Sequence, residues 1–227
     1  MAERPYVTLR NIDERTRVWR RALARYSRHP YSIEPQGAAL LVIDMQRYFT
    51  SPESHAYLPA SEAILPRLLA LVGEFRRRGA PVIFTRHAHR RGDEGLMGVW
   101  WRECIYDTDP LSELDPRLES RGSPVVRKTR YSAFFGTGLE RRLRRLGVGT
   151  VCVSGVMTHL CCETTARDAF MRDFQVVFLM DATATEDEAL HLSSLRTLAD
   201  GFAEVLSCEE LMERLGWTGR GRRTGGG

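Results

Sequence analysis

A strand that feeds a tight turn and then a helix start is where an α/β protein places a nucleophile or an anion. The stretch at 150–170, TVCVSGVMTHLCCETTARDAF, has that pattern, with Cys161 at the helix start. Unpaired backbone N–H groups and the helix dipole there predict a thiolate favoured over the thiol. A plainer reading makes Cys161 and Cys162 two small buried hydrophobes. Asp44 closes the apolar run AALLVIDM at 38–45, and Lys128 closes PVVRK at 124–128. An acid, an ammonium and a sulfur at three strand ends can converge on one edge of a parallel sheet. Together they suit nucleophilic attack. The carboxylate takes the thiol proton, the ammonium holds both charges together, and backbone N–H groups between Gly155 and Cys161 receive an oxyanion.

The elements that must position these residues alternate along the chain. Short aliphatic runs at 38–45, 81–85, 124–128, 175–180 and 203–207 read as strands, as does the β-branched run of Val151 and Val153 that opens the 150–170 stretch. Between them, helical spacing predicts helices over 61–78, 138–146, 186–199 and 208–215, with Gly79 and Gly147 as stops. This order predicts a doubly wound three-layer α/β sandwich around a mostly parallel sheet, Rossmann-like, within residues 35–216. Residues 1–34 read as an N-terminal arm with one helical stretch at 11–26, packed on the body or on a second subunit. Residues 217–227, WTGRGRRTGGG, have the composition of a disordered tail.

The remaining candidates lie in loops above the sheet edge. The segment at 86–101, RHAHRRGDEGLMGVWW, reads as an irregular loop over the site. It offers Arg86, His87, His89 and Trp100 as substrate contacts, joined by Tyr131 and Phe135 from the segment after Lys128. Arginine and histidine there suit a carboxylate-bearing substrate, and a tryptophan suits a flat one. A metal at His87 and His89 is disfavoured, because no carboxylate or cysteine at useful sequence spacing completes a set. A set of His159, Cys161 and Cys162 lacks the paired spacing of zinc ligands, so neither a metal nor a cofactor is expected.

Composition narrows the class further. The net charge of +4 is mild over 227 residues, and Arg141, Arg142, Arg144 and Arg145 form the solvated face of one helix. No basic stretch interleaved with aromatics points to nucleic acid, and no run approaches a membrane span of about 20 apolar residues. The N-terminal residues show no apolar signal core, and five irregularly spaced cysteines suit reduced thiols in a cytoplasm. The expected partner is a small-molecule substrate.

Over roughly residues 32–213, the motifs LLVIDMQ, KTRYSAFFGTGLE and VSGVMTHLCCETTARDAF…VVFLMDATAT resemble the isochorismatase-like cysteine hydrolase superfamily. The resemblance implies an Asp44–Lys128–Cys161 triad and an oxyanion hole at the backbone N–H groups of Met157 and Cys161. A cis peptide between Val156 and Met157, and a homo-oligomer of two or more chains, go with it. In the family's amidases the cysteine forms a thioester, an amine leaves, and water then hydrolyses the thioester. Zinc-dependent nicotinamidases of the superfamily carry a metal-binding histidine where Gln46 stands here. The RYSAF and DAFMRDF segments and His159 look instead like the true isochorismatases, which hydrolyse a vinyl ether with the aspartate as acid and have a small residue at the place of Cys161.

The leading expectation is therefore a cofactor-independent hydrolase of a small C–N bond, whether amide, carbamoyl or ureido. Vinyl-ether hydrolysis through Asp44 is the alternative, and a non-catalytic protein that keeps the fold is a third.

Overall fold

The structure is a computed structural model that describes residues 5–26 and 30–217. Six strands form one parallel sheet: β1 (Ala38–Ile43), β2 (Val82–His87), β3 (Val125–Lys128), β4 (Thr150–Val156), β5 (Gln175–Ala184) and β6 (Glu204–Leu206). Their spatial order is β3-β2-β1-β4-β5-β6, so the winding direction reverses between β1 and β4. Loops part above such a reversal, and ligands bind in the crevice this leaves. Every residue of β1 and β4 is buried, which is why both read as unbroken apolar runs rather than alternating ones.

The helices are α1 (Ile12–Leu23), α2 (Arg47–Thr50), α3 (Ser61–Arg77), α4 (Leu96–Trp100), α5 (Leu139–Arg145), α6 (Glu163–Phe170), α7 (Glu188–Gly201) and α8 (Cys208–Arg214). The long α3 buries Ile64, Leu68, Leu71, Val72 and Phe75 against the sheet, in the stripe its spacing predicts. Gly79 follows at φ +70°, a left-handed turn that glycine adopts without penalty. Asp187 caps α7 by accepting from the Leu190 N–H at 2.8 Å, and Ser207 and Glu210 form a capping box on α8.

Gly155 has a stricter requirement. It pairs with Ile43 across the β1–β4 junction, its φ is +108°, and a Cβ there would stand 2.0 Å from the Ile43 carbonyl oxygen. No side chain fits, so glycine is what lets the two central strands touch where the site begins.

Several expectations need correction. β5 runs four residues beyond the predicted end at Met180, because a register shift after Val153 lets Thr183 and Ala184 pair with Gly155 and Val156. Asp181 does not end the strand; it is buried and receives Arg67 Nε at 3.0 Å. The segment at 86–101 is not a plain loop, since β2 continues through His87 and α4 closes it. Trp217 is not part of a disordered tail; it packs edge-on against Phe75 at 4.8 Å, and residues 218–227 lie outside those described. Among the described residues no helix is long and apolar enough to cross a membrane.

The arm docks on the body as α1. Trp19 is buried, its ring sits 4.4 Å from His191, and its Nε1 donates to Glu188 at 2.8 Å. Arg20 donates to the Val205 carbonyl at 2.8 Å. Truncating a buried tryptophan typically costs about 3–5 kcal/mol. Trp19→Ala is expected to lower the free energy of urea unfolding by about that amount; a loss below about 1 kcal/mol would show that α1 merely rests on the surface.

Candidate active site

Asp44 follows the last residue of β1 in a left-handed conformation at φ +46°, which aspartate tolerates better than most residues. Thr85 of the neighbouring strand β2 holds it there twice. Its hydroxyl accepts the Asp44 N–H at 3.0 Å and donates to Asp44 Oδ1 at 2.6 Å. Lys128 ends β3 opposite His87, its register partner on β2. The chain leaves β4 through a cis Val156–Met157 peptide into a π-helical turn, Thr158–Cys162, before α6. That turn carries Cys161.

The three residues meet. Lys128 Nζ lies 2.7 Å from Asp44 Oδ2 and 3.2 Å from Cys161 Sγ, with both charged side chains fully shielded from solvent. Nζ also donates to the Arg130 carbonyl at 3.0 Å and meets His87 Nδ1 at 3.1 Å. Asp44 Oδ2 is in ion-pair contact with the ammonium, off the line of a hydrogen bond. Burial works against the charge of Lys128, yet Asp44 and Cys161 hold its pKa above that of an ordinary lysine.

The free thiolate expected at Cys161 is not favoured. Burial pushes the thiol up to about 12, the pull of Lys128 does not offset it, and Asp44 adds to the rise. The sulfur sits in a π turn backed by the sheet, 8% exposed, where lost hydration outweighs a helix-end dipole. Cys161 thus rests as a thiol, 3.2 Å from the ammonium. Cys162 is buried beneath the turn, its sulfur 3.9 Å from the Ser154 carbonyl.

Above Cys161 opens a pocket of about 480 Å³. Aromatic walls come from Tyr48 and Phe49 of α2, Tyr57 after it, Trp101 and Tyr131. Trp101 Nε1 donates to the Tyr131 hydroxyl at 2.8 Å, closing one side. Asp44 and Lys128 lie under the floor rather than in it. Glu103 and Glu186 are the acidic residues of the lining, and no lysine or arginine among the described residues joins them.

The predicted lining was half right in place. His87, His89 and Tyr131 face the pocket. Arg86 does not, because adjacent side chains on a strand point to opposite faces. It ties β2 to the 107–113 segment through the Asp107 and Ser112 carbonyls and Glu113. Trp100 is 77% exposed and points away, while its neighbour Trp101 takes the wall position. Phe135 is 57% exposed, beside the Arg130 guanidinium and outside the pocket. Cys104 also joins the lining. Tyr48 and Phe49 were missed; two aromatics just past a strand-end carboxylate were the available signal.

The sequence spacing hid a possible ligand set. Asp44, His87 and Cys161 bring ligand atoms within 4.8 Å of one another. Lys128 Nζ contacts all three at 2.7–3.2 Å, so an internal ammonium stands where a metal ion would. Gln46 is committed as well. It donates to the His87 and Ser112 carbonyls at 3.0 and 2.7 Å and accepts the His87 N–H at 2.8 Å. These residues do not fit a metal centre.

A strand-end acid, a buried ammonium and a sulfur meet beneath a pocket at the switch point of a parallel sheet. The Isochorismatase domain model matches residues 38–210, and the chain belongs to that family of hydrolases. It is 43% identical to Nicotinamidase 3 of Arabidopsis thaliana over 183 residues, covering 78% of this chain and 88% of that one. It is 33% identical to Enterobactin synthase component B of Escherichia coli K12, over 80% of this chain and 65% of that larger protein. The structure of a cysteine hydrolase from Pseudomonas syringae pv. phaseolicola superposes with a TM-score of 0.79 at 30% identity, covering 82% of this chain and 96% of that one.

Behind the π turn, buried His191 bridges Thr158 Oγ1 at 3.0 Å and the Met180 carbonyl at 3.1 Å. Burial lowers its pKa to about 3. The unfolded chain takes up this proton near pH 6.5 and the folded one does not, so stability should fall as pH drops below about 6.5, by about 1.4 kcal/mol per pH unit from this group. His191→Gln is expected to flatten that acid limb in urea titrations at pH 7 and 4.5; an unchanged slope would remove His191 from the account.

Proposed function

We propose that this hydrolase is an amidase for small, flat carboxamides that carry no negative charge, acting through a thioester on Cys161. The observation that carries the reading is the Cys161 sulfur at the floor of an aromatic pocket, between a charged lysine and a carboxylate with a free lone pair. Asp44 takes the thiol proton as sulfur attacks the carbonyl carbon. The oxyanion is received by the backbone N–H groups of Met157 and Cys161, where loss of one donor typically costs about 3–4 kcal/mol of transition-state stabilisation. Asp44 then gives its proton to the departing nitrogen, and ammonia leaves. Water attacks the thioester, its proton passes to Asp44, and the acid departs as the thiol re-forms.

The lining selects among substrates. A dianionic vinyl ether would face Glu186 and a Glu103 already paired with His55, with no lysine or arginine in the lining to receive its carboxylates. The same feature replaces the carboxylate-bearing substrate expected from Arg86. Stacking surfaces at Phe49, Tyr131 and Trp101 suit a planar ring, and the similarity to a plant nicotinamidase supports a heteroaromatic carboxamide such as nicotinamide. A nucleophilic thiol with five free cysteines in the chain suits a reducing, cytoplasmic setting.

Ammonia release from nicotinamide and related carboxamides tests the reading. Cys161→Ala is expected to lower it by at least about 10³-fold, in line with loss of a covalent nucleophile. Pyruvate release from isochorismate that survives Cys161→Ala but not Asp44→Asn would replace the amidase with the vinyl-ether reaction.

A further inference from the structure

An ammonium has three protons to place, and each donor of Lys128 has an assigned partner: His87 Nδ1 at 3.1 Å, the Arg130 carbonyl at 3.0 Å and Cys161 Sγ at 3.2 Å. Asp44 Oδ2, 2.7 Å away, pairs with the same nitrogen off the hydrogen-bond line. That allotment aims one N–H at the sulfur and leaves the base free. Something must keep the ammonium from turning toward the carboxylate, which is the stronger acceptor.

The histidines supply it. Lys128 only donates, so His87 Nδ1 must accept, and the His87 proton must sit on Nε2. Nε2 is 3.0 Å from His89 Nε2, which therefore accepts, leaving the His89 proton on Nδ1. Nδ1 is 3.3 Å from Asp93 Oδ1. Asp93 Oδ2 pairs with Arg127 at 2.9 Å, and Asp93 Oδ1 accepts the Arg90 N–H at 2.8 Å. One tautomer assignment satisfies the whole chain. His87 stays neutral, since burial and then the Lys128 charge lower its pKa well below the usual histidine value. Asp93 stays ionised, since hydrogen bonds from the Arg127 side chain and the Arg90 amide outweigh its desolvation. Every polar atom of both rings is spent inside the chain, so neither histidine has a nitrogen left for substrate.

We propose that His87, His89 and Asp93 are positioning residues: a hydrogen-bonded chain that fixes the Lys128 ammonium so that one N–H points at Cys161 and Asp44 keeps its free lone pair. Without the chain, the freed proton turns to Asp44, ties up the base and leaves the developing thiolate less stabilised. For turnover the inference rests on the amidase reading; for the reactivity of the sulfur it does not.

The test compares His89→Phe, His89→Gln and Asp93→Ala. Phenylalanine removes the acceptor for His87, whereas glutamine can accept through Oε1 and donate through Nε2. Cys161 reactivity is read as iodoacetamide alkylation of its peptide by mass spectrometry across pH. In that step a sulfur–carbon bond forms, iodide leaves and the thiol proton is lost. His89→Phe is expected to slow alkylation about tenfold at neutral pH, the equivalent of about one unit in the thiol's pKa. kcat on the carboxamide should fall in parallel, with KM within about twofold in Asp93→Ala, and His89→Gln should recover most of the His89→Phe losses. Asp93→Ala, outside the pocket, should give the same pattern more weakly, and it carries the test if His89→Phe does not fold. Unchanged alkylation in a folded His89→Phe or in Asp93→Ala overturns the proposal, as does a rise in KM alone. If alkylation responds as expected but wild-type protein releases no ammonia, the amidase reading fails and the chain stands.

Discussion

A lysine ammonium at complete burial is the constraint on which the rest of this structure depends. An unpaired charge in such a place would cost several kcal/mol, so its surroundings must be built for it. Here they are: a carboxylate at 2.7 Å, a carbonyl, a neutral imidazole and a sulfur. The same charge that demands those partners makes the sulfur usable. Burial pushes both the Cys152 and the Cys161 thiols up, but only at Cys161 does an ammonium pull against that rise. The lysine does not ionise the cysteine at rest; in the proposed amidase it lowers the cost of the moment when the proton crosses to Asp44.

The sheet topology makes this convergence possible. β1, β2, β3 and β4 are neighbours in space, and their carboxyl ends deliver Asp44, His87, Lys128 and, through the π turn, Cys161. Gly155 lets β1 and β4 approach closely, and Thr85 fixes the aspartate across the β1–β2 seam. The second support comes from the far side. α1 places Trp19 on His191, and His191 holds Thr158 at the start of the turn. Residues ahead of the family domain are thereby packed into the scaffold behind the nucleophile.

Much of this was legible in the sequence because of a general rule. Strands buried on both faces read as aliphatic runs, and a charged residue that ends such a run marks the functional edge. Asp44, Lys128 and Cys161 could be picked out that way. The pocket walls were not legible, because which of two adjacent residues faces inward depends on strand phase and helix rotation. Arg86 and His87 sit on opposite faces of β2, and Trp100 and Trp101 part company at the end of α4. The balance between helix dipole and desolvation at Cys161 was also hidden, since the depth of a turn depends on everything packed around it. The role of the histidines was obscured for a related reason. Spacing suggested substrate contacts, while the partners that consume their nitrogens lie on β3 and in the 90–93 loop.

The central claim is that sulfur, ammonium and carboxylate act as one unit on a carbonyl carbon. A ¹³C-labelled aromatic aldehyde, such as pyridine-3-carbaldehyde, tests it by carbon NMR, because sulfur addition converts the planar carbonyl into a tetrahedral thiohemiacetal. The account predicts a tetrahedral signal with wild-type protein and only free aldehyde with Cys161→Ala and with Lys128→Met. A tetrahedral adduct formed equally well without the lysine, or none in the wild-type protein, would contradict it.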